Sequence, residues 1–303
     1  MLLREQSETF LKTSATRRRD PVCPRTLRAY QSYIRNWIVP VLGNEEVENV
    51  RNPQAKRLID RMSQSGLSPR TETAVVNCLK AIVASALNEE GEELYPRTWN
   101  SDFMDLPSVE RSDAPVIALE SLSEALGRSQ EQDKALYATL AGTGLRIGEA
   151  LSLSREDDGL SSIWDEEAAV IRVRSTLDHQ QGEIQANPKT QAGIRQVDVC
   201  PELNDFLHAV VPPRGLLFQK NGRPLVYSTA RRRLIANGIP EAFHAFRRFR
   251  VTHLESENVP PRLIQYWIGH AAQNVTESYA RMGKNLEVRR RECERAGLGF
   301  QLP

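Results

Sequence analysis

The sequence predicts a mainly α-helical protein with a small β-sheet, an α+β fold divided into two domains, and three observations predict it. Across the first hundred residues apolar side chains recur at helical spacing. A short polar stretch bounded by prolines, running from Leu106 to Pro115, then interrupts that pattern and suits a linker. Beyond it the period changes to strict alternation at 170–174 and 194–199, which indicates strands, and returns to helix from Pro201 onward. At 303 residues the chain is long enough for two separate cores.

Taken in order, residues 1–20 read as an N-terminal extension, and residues 21–106 as a small helical domain. Leu27, Tyr30, Ile34, Trp37 and Ile38 fall on one helical face, and 54–62 carries a second such pattern. Ser68-Pro69 is a favourable capped start for a third helix, which runs through Val75, Val76, Leu79, Ile82, Val83 and Leu87. Residues 107–115 form the linker. After it, 120–127 and 134–141 read as helices, and 148–153 as the beginning of another. Residues 182–193 read as a strand followed by an exposed turn carrying Lys189. Pro260-Pro261 opens a helix over 262–268, with Gly269 as its stop. No internal repeat or low-complexity tract interrupts the order.

The composition, 26% charged and 40% hydrophobic, is that of an ordinary soluble protein and argues against disorder. No apolar run approaches the length a bilayer requires, and Glu5 and Glu8 interrupt the N-terminus where a signal peptide needs an apolar stretch. A cytoplasmic protein without membrane partners is the expectation. Cys23, Cys78, Cys200 and Cys293 lie far apart, with no metal-ligand spacing, and read as free, mostly buried thiols; no metal site is expected. Asn274-Val-Thr276 matches the glycosylation triplet by chance. The net charge is only +1, but it is segregated: seven arginines and one acid lie between Arg223 and Arg250, while acids gather at 89–93, 156–158 and 165–167. Such segregation can place a basic face on a neutral protein, although any single arginine run is more often a solvated surface.

Four local patterns carry chemistry. His244 and Arg247 are three apart, so on a helix they share a face, and Arg250 extends the row. A guanidinium can grip two phosphate oxygens while an imidazole moves a proton. Gly142-Thr-Gly144-Leu-Arg-Ile-Gly148 has one residue too many between its second and third glycines for a dinucleotide fingerprint; its glycines suit a tight turn that brings Arg146 into a pocket. Trp267-Ile-Gly-His270 ends a helix, and Tyr279 follows nine residues later. Each pattern alone has a bland reading: a cationic surface helix, a hydrogen-bonding histidine, a half-buried tyrosine. His179, His208 and His253 show no partner pattern.

Together, in order and spacing, these motifs resemble the tyrosine recombinase (phage integrase) family over roughly residues 116–285. The resemblance implies a tyrosine-recombinase catalytic domain there, preceded by a helical core-DNA-binding domain and followed by a tail over 286–303. It implies Tyr279 as nucleophile, Arg146 and Arg247 as a phosphate clamp, and His244 and His270 as hydrogen-bonding and proton-handling groups. Lys189 matches the hairpin lysine that protonates the departing 5′-oxygen, with Lys220 as a rival. Glu149 matches an acidic position that orients the clamp. Arg248 stands where the family often has a histidine. Arg231, Arg232, Arg233, Arg248 and Arg250 are candidate DNA contacts.

The chemistry agrees with that assignment. Phosphoryl transfer builds negative charge on equatorial oxygens, so preorganised cations are the main requirement. A phenol with a pKa of ~10 needs nearby cations to favour its phenolate. A covalent phosphotyrosine preserves the phosphodiester energy, so resealing needs no ATP; two arginines, a lysine and two histidines can replace a metal, and no cofactor is expected. The expected activity is site-specific recombination of double-stranded DNA by a homotetramer associated with the nucleoid, aided by DNA-bending or directionality proteins. The alternatives are a type IB topoisomerase and a non-catalytic DNA-binding regulator on the same fold. About twenty residues before Pro21 are too few for an arm-type DNA-binding domain. Arg289-Arg290-Arg291 reads either as a docking tail for a neighbouring subunit or as a frayed helix end.

Overall fold

The computed structural model describes residues 1–19, 22–108, 115–179, 181–186, 193–269 and 285–303. The chain divides into two compact units, Met1–Ser112 and Asp113–Pro303. The described elements of the first unit's structure are helical apart from isolated bridges. Its helices are α1 (Leu3–Thr16), α2 (Pro24–Tyr33), α3 (Val39–Leu42), α4 (Asn52–Ser63), α5 (Pro69–Ala84) and α6 (Ser101–Met104). Ser68 caps α5 as its sequence predicts, accepting a hydrogen bond from the Thr71 N–H. The apolar face read from Leu27 to Ile38 buries Ile34 and Ile38, but it does not continue as one regular helix. A π turn over Ile34–Ile38 joins α2 to α3, because Pro40 lacks an N–H and its ring crowds the carbonyl four residues back.

Residues 1–19 of the expected N-terminal extension belong to the first compact unit. Leu3 is fully buried in the first core with Ile38, Leu42, Leu58, Met62, Leu79 and Ile82. The Gln6 side chain reaches Ser85 at the end of α5 at 2.8 Å.

The second unit is built around α8 (Glu131–Thr143), in which every residue from Ala135 to Thr143 is buried. Its Ala- and Leu-rich sequence is apolar all round, as a central helix must be. Around it lie α7 (Leu119–Arg128), α9 (Ile147–Ala150), α10 (Pro201–Val210), α11 (Tyr227–Ala236), α12 (His244–Ser256), α13 (Pro261–Ile268) and α14 (Leu286–Ala296). The main sheet has the order β1 (Leu153–Ser154), β2 (Ser162–Asp165), β3 (Val170–Val173), β6 (Arg195–Asp198); β1 and β2 are parallel and the other pairs antiparallel. The two alternating segments are therefore neighbouring strands. A separate hairpin pairs β4 (Ser175–Leu177) with β5 (Ile184–Ala186), and a smaller one pairs β7 (Gln219–Lys220) with β8 (Arg223–Pro224). The helix expected over 148–153 is a single turn, because the chain must reach β1 by Leu153.

The C-terminal segment is not a frayed tail. Cys293, Ala296 and Leu298 are buried in the second core, and the Arg289 guanidinium is paired with Asp198 at 2.8 Å. None of the four cysteines is in a disulfide, and Cys78, Cys200 and Cys293 are buried.

Candidate active site

The glycines of the Gly142–Gly148 segment each answer a local need. Gly144 stops α8 in the left-handed conformation, at φ 68°, which costs glycine little. A Cβ on Gly142 would lie 2.8 Å from side-chain atoms of both Leu203 and Leu298. One on Gly148 would lie 2.4 Å from the Thr176 hydroxyl and 3.1 Å from the Leu177 carbonyl, so this glycine lets α9 sit against β4. The segment is a close-packed turn, and it carries Arg146 at its outer edge with 43% of its side chain exposed.

Glu149 lies three residues on and is buried. Its Oε2 accepts the Arg146 main-chain N–H at 2.9 Å, and its Oε1 accepts the Arg146 guanidinium at 2.8 Å. A second guanidinium, that of Arg195 on β6, grips the same carboxylate through Nη1 at 3.1 Å and Nη2 at 2.9 Å. Burial alone would raise the Glu149 pKa, but the hydrogen bonds and charge of Arg195, followed by the charge of Arg146, hold it below the ordinary carboxylate value.

Arg247 stands on α12, which packs directly against α8. Its guanidinium is buried and donates to two carbonyls, that of Gly144 at 2.9 Å and that of Ile268 at the end of α13. Among the described residues no carboxylate forms an ion pair with it. Burial, reinforced by the charge of Arg146, pushes its pKa down to about 9, so it remains protonated at neutral pH. The structure thus brings together Arg146 and Arg247, from opposite ends of a hundred-residue span, around the Gly144 turn. His244, one turn before Arg247, is exposed and lines with it a cavity of about 400 Å³ whose other walls include Arg248, Val251 and Ile264.

Arg250 does not extend the row. It is buried and donates to the Gly297 carbonyl at 2.6 Å, so it is withdrawn from any DNA-facing surface. Each helical step of three residues falls about 60° short of a full turn, and two such steps rotate the third side chain into the core. Of the other candidate contacts, Arg233 is paired with Asp133 at 3.2 Å. Arg231 donates to the Pro240 carbonyl at 2.6 Å, and Arg248 to that of Pro115 at 2.7 Å. Arg232 is exposed. Lys189, His270 and Tyr279 lie outside the described residues. Gly269, immediately before His270, closes α13 at φ 63°.

Sequence reasoning missed Arg195, although a signal was present. In the alternating stretch 194–199, Arg195 is in phase with Val197 and Val199, so the strand turns it inward. An inward arginine needs buried acceptors, and a carboxylate such as Glu149 is the strongest of them.

The model of the phage integrase family matches residues 117–285. The chain belongs to the phage integrase family, the tyrosine recombinases. Tyrosine recombinase XerA of Thermococcus kodakarensis is 24% identical over 302 residues, covering 97% of this chain and 95% of that protein. Tyrosine recombinase XerC of Mesorhizobium japonicum is 24% identical over 300 residues, covering 91% and 90%. Among solved structures, the Tn1549 transposon integrase in complex with transposon right-end DNA superposes with a TM-score of 0.70 at 23% identity, covering 93% of this chain and 98% of that one. A λ integrase dimer bound to a core site gives a TM-score of 0.59 at 16% identity, with coverages of 92% and 95%. These two likenesses establish the integrase fold across both units.

Proposed function

We propose that this chain is a site-specific DNA recombinase that cuts and rejoins double-stranded DNA through a 3′-phosphotyrosyl intermediate at Tyr279. The observation that carries this reading is the Arg247 guanidinium, buried on two carbonyls with no carboxylate partner among the described residues and with Arg146 beside it. A buried cation without a counter-ion is costly unless an anion completes it. A scissile phosphate does so, and its transition state, with more charge on the non-bridging oxygens, does so better.

In this mechanism Arg146 and Arg247 clamp the phosphate, and Glu149 aims Arg146. Tyr279 attacks phosphorus, forming the phosphotyrosyl bond as the bond to the 5′-oxygen breaks. Lys189 donates the proton that this oxygen takes up, while His244 and His270 hydrogen-bond the phosphate and handle the tyrosine proton. A 5′-hydroxyl from a partner duplex then displaces the tyrosine. Exchange between two duplexes requires several active sites, so a homotetramer on DNA is the working assembly, in the cytoplasm with the nucleoid and with accessory DNA-bending or directionality proteins. Of the five candidate arginines, exposed Arg232 is the DNA contact that this reading retains.

The test is to incubate the protein, in EDTA, with DNA fragments flanking its own gene, then denature and map covalent adducts. Native protein is expected to form adducts at discrete sites, and Tyr279→Phe none. The absence of adducts from native protein on any fragment would overturn the enzymatic reading, and adducts that persist in Tyr279→Phe would overturn the nucleophile assignment.

A further inference from the structure

We propose that Arg195 is a positioning residue for DNA cleavage: it fixes Glu149 where Glu149 aims Arg146, and it ties that pair to the helix end that supports Arg247. The chemistry rests on the recombinase reading above. The geometry is independent of it.

Arg195 and Glu149 have side chains only 1% and 2% exposed. Each oxygen of Glu149 accepts one bond from Arg195 and one from Arg146, so the carboxylate is shared evenly between an inner and an outer arginine. The remaining donors of Arg195 reach further. Nε donates to the Trp267 carbonyl at 2.5 Å and Nη1 to the Gly193 carbonyl at 3.1 Å. Trp267 and Ile268 are successive residues, and their carbonyls hold Arg195 and Arg247 respectively. One side chain therefore touches the Arg146 turn, Gly193 just ahead of β6 and the end of α13. Only a planar fork can bond two carboxylate oxygens and two carbonyls together; a lysine ammonium cannot reproduce that geometry. Without Arg195, Glu149 is a buried carboxylate with Arg146 as its one bonded cation, and it must either draw Arg146 inward or take up a proton. Both displace the clamp.

A cleavage cycle tests this on a nicked suicide duplex built from the mapped site, at saturating protein and single turnover, with Arg195→Met, Arg195→Lys, Glu149→Gln and the double variant Arg195→Met/Glu149→Gln. Arg195→Met is expected to slow adduct formation by about 100-fold, the order of losing one preorganised donor, while DNA affinity changes by less than about 3-fold. Arg195→Lys recovers little of the rate, and the double variant is no slower than Glu149→Gln, because both changes remove one relay. Effects that multiply, full recovery with lysine, or a change confined to affinity would each overturn the proposal. If Arg195→Met does not fold, the cycle is run with Arg195→Lys.

A second readout needs no DNA. The charged groups facing Glu149 are Arg146, Arg195 and Arg247, and the ring of His179 approaches the same turn at Gly148, while β4 brings no titratable side chain to it. The Glu149 carboxyl carbon, followed by NMR, is expected to titrate below the ordinary carboxylate range in native protein and clearly higher in Arg195→Lys; identical titrations overturn the proposal. This also separates two failures: native protein that forms no adduct defeats the recombinase reading, whereas the titration still decides whether Arg195 governs Glu149.

Discussion

Two buried carboxylates of the second unit, Glu149 and Asp198, sit only one residue type apart in chemistry and are put to opposite uses. Asp198 receives the Arg289 guanidinium at 2.8 and 3.2 Å and the Trp267 indole N–H at 2.7 Å, with both partners of the ion pair almost wholly buried. Among the described residues that assembly matches one cation with one anion, and it joins α14 to β6. Glu149 instead faces Arg146, Arg195 and Arg247, three guanidiniums for one carboxylate, and one of the three is 43% exposed. Among the described residues this assembly keeps a positive surplus, and it has an opening at Arg146. Matched charge makes the first a structural tie, whereas the surplus of the second leaves it ready for an anion.

The sharpest way to break that contrast is a pair of substitutions with crossed outcomes. Arg247→Met is expected to reduce covalent adduct formation by about 100- to 1,000-fold, the loss associated with one preorganised donor to a developing anion. It should lower the melting temperature less than Arg289→Met does, because it takes the donor from two carbonyls but strands no ion-paired carboxylate among the described residues. Arg289→Met is expected to cost about 3–5 kcal/mol of stability in urea unfolding, since it strands Asp198, while leaving the cleavage rate of the folded fraction near native. If Arg247→Met destabilises as much as Arg289→Met, the two assemblies are both structural and the distinction collapses.

How far this contrast was legible in the sequence depends on which partner is considered. Arg146 and Glu149 are paired by the family resemblance, and their three-residue separation on one turn brings the two side chains into contact. The helices α7, α8 and α13 are legible in the sequence, and so are the strands at 170–173 and 195–198, whereas α10, α11 and α12 read only as one helical region. Arg250 was misplaced because a three-residue row drifts round a helix, which only the packing of α12 on α8 and on the C-terminal segment reveals. Arg195 and Asp198 were invisible as partners, since their acids and bases lie 46 and 91 residues away and meet only when β6 takes its place in the sheet. Likewise β4 has too few residues to show alternation; its pairing with β5 defines it.

A smaller effect tests whether the Arg146 turn is held as tightly as the Asp198 tie. Gly148→Ala puts a methyl group 2.4 Å from the Thr176 hydroxyl and 3.1 Å from the Leu177 carbonyl, and the latter is backbone that cannot turn aside. Overpacking of this kind costs about 1–3 kcal/mol. Because α9 carries Glu149, the expected loss in cleavage exceeds the loss in stability. Gly144→Ala meets only ordinary contacts, the nearest at 3.5 Å, and its cost is that of a left-handed alanine, about 1 kcal/mol. Equal effects at the two glycines would mean that backbone conformation, not the approach of β4, sets the position of the turn.

The smallest effect concerns the arginines outside both assemblies, where satisfied and exposed side chains stand next to each other. Arg233 is engaged with Asp133 and Arg231 with the Pro240 carbonyl, whereas Arg232 between them is exposed. A phosphate contact needs a guanidinium that is not already committed, so Arg232→Ala should weaken DNA binding a few-fold and lower the slope of log affinity against log salt by about 0.9. Arg233→Ala should leave that slope unchanged and act on stability, by ~1 kcal/mol or less for a partly exposed pair. Titrating both variants against the mapped duplex at several salt concentrations separates the two. Should Arg233→Ala change the slope as much as Arg232→Ala, its pairing with Asp133 yields to DNA, and the division between committed and available arginines holds for the buried pairs alone.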